Sequence, residues 1–131
     1  MAYEFSNSAI KASFVAGGDL SSAQYKFVKL DSDGEVVVAA ATTDRPVGVL
    51  QNAPSSGQIA EVTIAGGSKV VAGGNASVGN PVFTSASATA VTATVGSAAS
   101  TFYVLGTFLE DAAAGQIVSA VVNCANSGRG A

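Results

Sequence analysis

Histidine and tryptophan are missing from these 131 residues, and cysteine occurs once, as Cys124. Without histidine there is no Ser-His-Asp triad and no imidazole ligand for a metal. A single cysteine closes no intrachain disulfide, which excludes a disulfide-stapled secreted module. Charge is scarce as well: charged residues make up 11% of the chain, against about 25% in an ordinary soluble domain. The six cations, Lys11, Lys26, Lys29, Lys69, Arg45 and Arg129, are scattered, and the net charge is −3. No basic stripe is available to neutralise phosphates, so nucleic acid is not an expected partner. No apolar run nears the roughly 18 residues of a membrane span, and the start, Met-Ala-Tyr-Glu-Phe-Ser-Asn, lacks the basic and apolar regions of an export signal. Neither a membrane nor export is expected.

Small side chains take the place of what is absent. Ala, Gly, Ser and Thr number 25, 15, 16 and 9, about half of the chain, while Leu, Ile, Val and Phe together number 33. That is too apolar for disorder and thinly charged for a free monomer. Val, with 18 copies against five Leu, recurs at period two, so the chain reads as β almost throughout. The expected strands are Tyr25–Asp31, Glu35–Ala40, Val47–Leu50, Gln58–Ala65, Ser68–Ala72, Pro81–Thr84, Ala90–Val95, Phe102–Leu109 and Gln116–Asn123. Turn residues separate them, among them Asp33-Gly34, Gly66-Gly67 and Gly79-Asn80-Pro81, at the spacing of a small all-β barrel or sandwich. Helix is limited to short turns at Gln51–Ser55 and Glu110–Ala114. The domain is expected over residues 25–123, with a C-terminal tail over 124–131.

Residues 1–24 have another character. Tyr3, Phe5, Ile10, Phe14 and Val15 are irregularly spaced, with no partner strand at hairpin distance. This segment is expected to be an N-terminal arm whose bulky apolar residues need a surface to land on; a frayed terminus is the alternative.

One internal echo is specific. Val47-Gly48-Val49-Leu50 followed by Gly57-Gln58-Ile59 recurs as Leu105-Gly106-Thr107-Phe108 followed by Gly115-Gln116-Ile117, at an offset of 58 throughout. Two similar β units, related by pseudo-symmetry within one domain, are expected; two copies are too few for a solenoid.

The candidate chemistry is thin. Asp31-Ser32-Asp33-Gly34-Glu35 opens like a calcium loop, but the twelfth position, which needs a bidentate Glu, holds Thr42. Asp-Gly between Val-rich strands is a hairpin signal, and no metal site is expected. The Gly-rich run Gly66-Gly67-Ser68-Lys69 has the wrong order for a phosphate loop and continues as strand. No residue can act as a His base for the many serines, and Ser68 and Lys69 point to opposite strand faces. Cys124 reads as a small buried hydrophobe. No catalytic residue, cofactor or small-molecule substrate is expected.

From about Gly17 to Asn123 the chain resembles the small capsid cement, or head-decoration, proteins of tailed bacteriophages. The resemblance rests on an ordered series: Gly18-Asp19, Phe27-Val28-Lys29-Leu30, Arg45-Pro46-Val47-Gly48-Val49-Leu50, Ala60-Glu61-Val62-Thr63-Ile64-Ala65-Gly66, Val78-Gly79-Asn80-Pro81-Val82, Val104-Leu105-Gly106-Thr107 and Gly115-Gln116-Ile117-Val118. It implies a β-barrel or β-tulip domain on the outer face of an icosahedral head, commonly a homotrimer at local three-fold positions, stabilising the major capsid protein lattice against internal DNA pressure. It also implies a protein made in the host cytoplasm and located on the virion. Tyr3, Phe5, Ile10 and Phe14 would then contact the major capsid protein or an adjacent copy, with strand addition to an exposed edge as the mode. Ser85–Ala90 carries Ser-Ala-Ser-Ala-Thr-Ala in place of the family's Asp-Gly hairpin. The competing reading is a small carbohydrate- or host-binding β module of a virion fibre or cell surface, against which the shortage of aromatics for a sugar platform counts.

Overall fold

Branched residues at alternate positions place one face of each strand in an interior and the other toward solvent, and the fold follows that rule. A computed structural model describes residues 9–93 and 102–129. Among them are eleven strands and no helix: β1 (Ile10–Val15), β2 (Phe27–Leu30), β3 (Val36–Val38), β4 (Gly48–Leu50), β5 (Ile59–Val71), β6 (Pro81–Thr84), β7 (Ala90–Val91), β8 (Tyr103–Val104), β9 (Gly106–Phe108), β10 (Ile117–Asn123) and β11 (Gly128–Arg129). The main sheet runs β3-β2-β4-β5-β10-β9-β6-β7, with β1 also on β5, and β8 pairs with β11. All these pairs are antiparallel, and the sheet curls into a half-barrel.

The echo read from sequence extends over the whole domain. Val49 and Leu50 pair with Thr63 and Val62, and Thr107 and Phe108 pair with Val121 and Ala120, at an offset of 58 on both strands. Phe27 and Val28 pair with Val49 and Gly48, as Pro81 and Val82 do with Thr107 and Gly106. The Lys29–Val37 and Leu30–Val36 pairs recur as Phe83–Val91 and Thr84–Ala90. Side-chain devices repeat with the backbone. Gln58 Oε1 accepts the Ser55 N–H at 2.8 Å and Gln116 Oε1 accepts the Ala113 N–H at 3.0 Å, each beside a glycine at φ +84°.

The Ser85–Ala90 loop, which departs from the Asp-Gly pattern, nevertheless makes the same turn. Ser85 Oγ accepts the N–H groups of Ser87 and Thr89, as Asp31 Oδ1 accepts those of Asp33 and Glu35. Ala88 stands at φ +65° where Gly34 stands at +77°. The turn needs an oxygen acceptor and a positive φ, and two different sequences supply both.

Three expectations are corrected. Gly66-Gly67 does not reverse the chain: β5 passes through it as one strand of 13 residues, and Gly66 at φ +117° lets it bend there. Added side-chain volume at Gly66 would press on Ala9. The stretches Gln51–Ser55 and Glu110–Ala114 are not helical; Gln58 and Gln116 draw them into open loops, and Ala112 bridges to Ala76. Residues 1–24 are not an arm along their whole length. Ile10–Val15 pairs with β5 from Val15↔Ile59 to Ile10↔Ala65, and Ala16, Leu20 and Ala23 are buried. The partner lies some fifty residues along the chain, beyond any hairpin signal. The folded domain therefore begins before Tyr25.

β1 and β10 lie end to end along the same edge of β5, with Ile10 and Asn123 both opposite Ala65. Unit one thus comprises β1, β2, β3, β4 and the first half of β5; unit two comprises the second half of β5, β6, β7, β9 and β10. Each has its interior. Val28, Val36, Leu50, Ala60 and Val62 fill the first; Val82, Ala90, Phe108, Val118 and Ala120 fill the second at the equivalent positions. The second also takes in Phe27 and Val49 from unit one. Fully burying each of Phe27, Phe83 and Phe108 contributes about 1.5–3 kcal/mol.

Candidate interaction surface

The expected arm residues separate. Tyr3 and Phe5 lie outside the described residues. Phe14, opposite Ala60, packs half-buried on the interior of unit one, because alternation turns Ala12 and Phe14 inward. Ile10 faces outward and is 57% exposed. No strand among the described residues pairs with the other edge of β1. Alternate N–H and C=O groups of such an edge point away from the partner already in place. Beside that edge, Val15 and its cross-strand neighbour Ile59 are both exposed, and Ser13 Oγ donates to Glu61 Oε1 at 2.8 Å.

A second feature is a groove of about 430 Å³ lined by Leu30, Arg45, Pro46, Val47, Ile64, Cys124 and Ala125. It lies where β5 passes from one unit to the other, and the Cys124 N–H donates to the Ile64 carbonyl there at 2.9 Å. Its walls are apolar and Leu30 is 48% exposed. Arg45 is its one charged lining residue. The guanidinium stacks 5.8 Å from the Tyr103 ring centroid, and Nε donates to Ser127 Oγ at 3.3 Å. The only ion pair among the described residues is elsewhere, Lys29 with Asp44 at 2.9 Å, so Arg45 is positioned without a carboxylate partner. Burial pushes the Cys124 thiol up to about 12, which keeps it protonated and unreactive at neutral pH.

A third feature is the tip formed by Ser77-Val78-Gly79. Val78 is the most exposed large apolar side chain among the described residues, at 62%. Its N–H donates to Asp111 Oδ1 at 2.9 Å, and next to Asp111, Glu110 Oε2 accepts the Ser119 N–H at 3.2 Å. The tip thus couples one apolar knob to the Asp111 carboxylate through a backbone donor, while the neighbouring Glu110 is tied to β10.

These features sit on a recognisable frame. This chain shares the fold of a phage head-fibre base. The match is to the N base of head fiber gp8.5 in bacteriophage phi29, with a TM-score of 0.64 and 23% sequence identity, covering 88% of this chain and 94% of that one. No protein-family model and no curated protein matches the sequence.

Asp31, Asp33 and Glu35 bring their carboxylates within 4.8 Å of one another. One oxygen of Asp31 is already committed to the turn, and the equivalent turn at Ser85–Thr89 closes without any carboxylate. The groove and the Val78 tip were not singled out from sequence. The groove lining comes from four separated stretches and the tip joins residues 33 apart, so neither carries a local spacing. Their visible traces are the Leu30, Arg45-Pro46-Val47, Ile64 and Val78-Gly79 segments of the family-like series, which carry no sign of meeting in space.

Proposed function

We propose that this protein is a structural component of a tailed-phage virion that binds the outer face of the head, as homotrimers at local three-fold positions, and stabilises the major capsid protein lattice against internal DNA pressure. The observation that carries the reading is the fold shared over nearly its whole length with the base of a phage head fibre. The cement-like sequence series supports it, as does a surface short of charge and rich in small side chains, which lose little rotamer entropy on burial. The chain acts through contact rather than catalysis. Its partners are the major capsid protein and copies of itself, and its contact residues are Tyr3, Phe5 and Ile10 with the open edge of β1. Phe14 supports that edge from the inside.

The test is binding to undecorated heads followed by imaging. Density in groups of three at local three-fold positions, and heads that retain DNA to higher temperature, are the expected results. Because the similar chain is described as a fibre base, a second reading is the foot of a longer host-binding appendage. Head binding by single copies that leaves the heat stability of the heads unchanged would favour that reading over the first, whereas binding to a glycan array with no affinity for bare heads would point to a carbohydrate-binding module instead.

A further inference from the structure

We infer that the groove around Arg45 receives the Val78 tip of a second copy of this chain, so that copies join head to tail. The inference rests on the trimeric reading above and names the two faces that would build it. A ring of three cannot use one self-complementary patch; it needs two different patches on each copy, related by a rotation that closes. The two features described above meet that requirement by chemistry. The groove offers apolar walls, Leu30, Val47 and Ile64, with a lone guanidinium at Arg45. The tip offers an exposed Val78 with the Asp111 carboxylate beside it.

Both charges are held in advance. Tyr103 and Ser127 fix the guanidinium, and the Val78 N–H fixes the Asp111 carboxylate, so little side-chain freedom is lost when they meet. An Arg–carboxylate contact beside a buried apolar anchor is the usual make-up of an energetic centre in an interface. The patches also lie apart within one copy. The groove lies at the β5 crossing, between Leu30 to Val47 of unit one and Cys124 after β10, whereas the tip precedes β6 and is bonded to the loop after β9. One copy therefore does not fill its own groove.

The test uses the full chain in Arg45→Glu, Asp111→Arg and Val78→Asp forms, with the Arg45→Glu/Asp111→Arg double variant. Self-association is read by sedimentation in solution and by copy grouping on undecorated heads. Each single variant is expected to weaken self-association about tenfold to a hundredfold, and the double variant to recover most of it. Val78→Asp keeps the backbone N–H that Asp111 accepts and lies away from the groove, and an unchanged circular-dichroism spectrum and denaturation midpoint check that its effect does not come from local unfolding. The inference is overturned if all variants associate like the wild type, or if the wild type stands singly both in solution and on heads. It is also overturned if Arg45→Glu weakens association while the two tip variants do not, since the groove would then take another occupant. Wild-type binding to heads is scored separately: its absence would remove the capsid reading, whereas normal head binding with unaffected variants would remove only this contact.

Discussion

Unit one and unit two share their backbone and differ in what supports it. Where unit one holds its loop with an ion pair, Lys29 to Asp44 at 2.9 Å, unit two has an aromatic pair, Phe83 and Phe102, edge to face with centroids 6.0 Å apart. The positions correspond: Lys29 and Phe83 follow the paired Val28 and Val82, and Asp44 and Phe102 stand four residues before Gly48 and Gly106. A polar clasp and an apolar one serve the same turn. The cross-strand row Phe27–Val49–Thr63 is fully buried, whereas its counterpart Pro81–Thr107–Val121 is part-exposed. The pairing register and a few glycines specify the fold, and the side chains on each register position are free to answer local burial.

The comparison can be sharpened by removing each clasp. Phe83→Ala is expected to cost about 3–5 kcal/mol, because it empties a fully buried site, read as a fall in the denaturation midpoint. A loss below 1 kcal/mol would mean that unit two does not depend on its aromatic clasp. Next come the paired glycines. A Cβ at Gly48 would strike the Thr63 carbonyl, and one at Gly106 the Val121 carbonyl. Gly48→Ala and Gly106→Ala should each destabilise by about 2–3 kcal/mol, and by similar amounts. A large effect at one and none at the other would break the equivalence of the units.

Asp44→Asn should cost about 1–2 kcal/mol, since the Asp44 carboxylate accepts from Lys29, Ala40 and Ala41 while remaining partly in solvent. Partial burial works against its ionisation, but the Ala40 N–H, the Lys29 ammonium and the Ala41 N–H outweigh it and hold the carboxyl below 3.8. A carboxyl lowered by folding contributes stability above its unfolded value and loses it as pH falls through the folded one. Melting curves from pH 7 down to 2.5 should therefore show an acid loss that is smaller in Asp44→Asn, while Phe83→Ala leaves the pH profile unchanged in shape. The smallest effect is expected at Tyr25, which sits at φ +65° where unit two has Gly79 at +87°. Tyr25→Gly relieves about 1 kcal/mol of backbone strain but removes the ring that Lys69 covers at 5.7 Å, so its midpoint should stay within about 0.5 kcal/mol of the wild type. Gly79→Ala, with strain added and no ring to lose, should be the more harmful of the two.

Much of this was legible in the sequence where signals are local. The valine alternation, Asp33-Gly34 and the 58-residue echo of Gly48, Gly57, Gln58 and Ile59 all lead to elements that form. The pairing of β1 was not legible, because Ile10–Val15 alternates weakly and its partner is distant. Gly66-Gly67 resembles a turn in sequence because a glycine pair that bends a long strand looks like one that ends it. The hairpin correspondence was hidden because Asp31 and Ser85 share an oxygen acceptor but no resemblance in charge. Of the candidate contact residues, Ile10 emerged at the surface and Phe14 inside, although both are even-numbered; the register shift between Ile10 and Lys11, which sets Ile10 opposite Ala65, turns Ile10 out, and hydrophobicity does not foretell it.

The end-to-end meeting of β10 and β1 on β5 makes the folded chain a closed circuit with one gap, between Asn123 and Ile10. The continuous crossing at Ala65-Gly66 occupies the symmetry-related place. Covalent order is then a convention: a chain cut at Gly66 and rejoined by a short linker from Asn123 to Ile10 would trace the same half-barrel. A single unit, left to itself, would carry one half of a two-fold seam and would find the other half in a twin. The domain is in that sense a tethered pair, and the tether converts a concentration-dependent association into a fold that survives dilution.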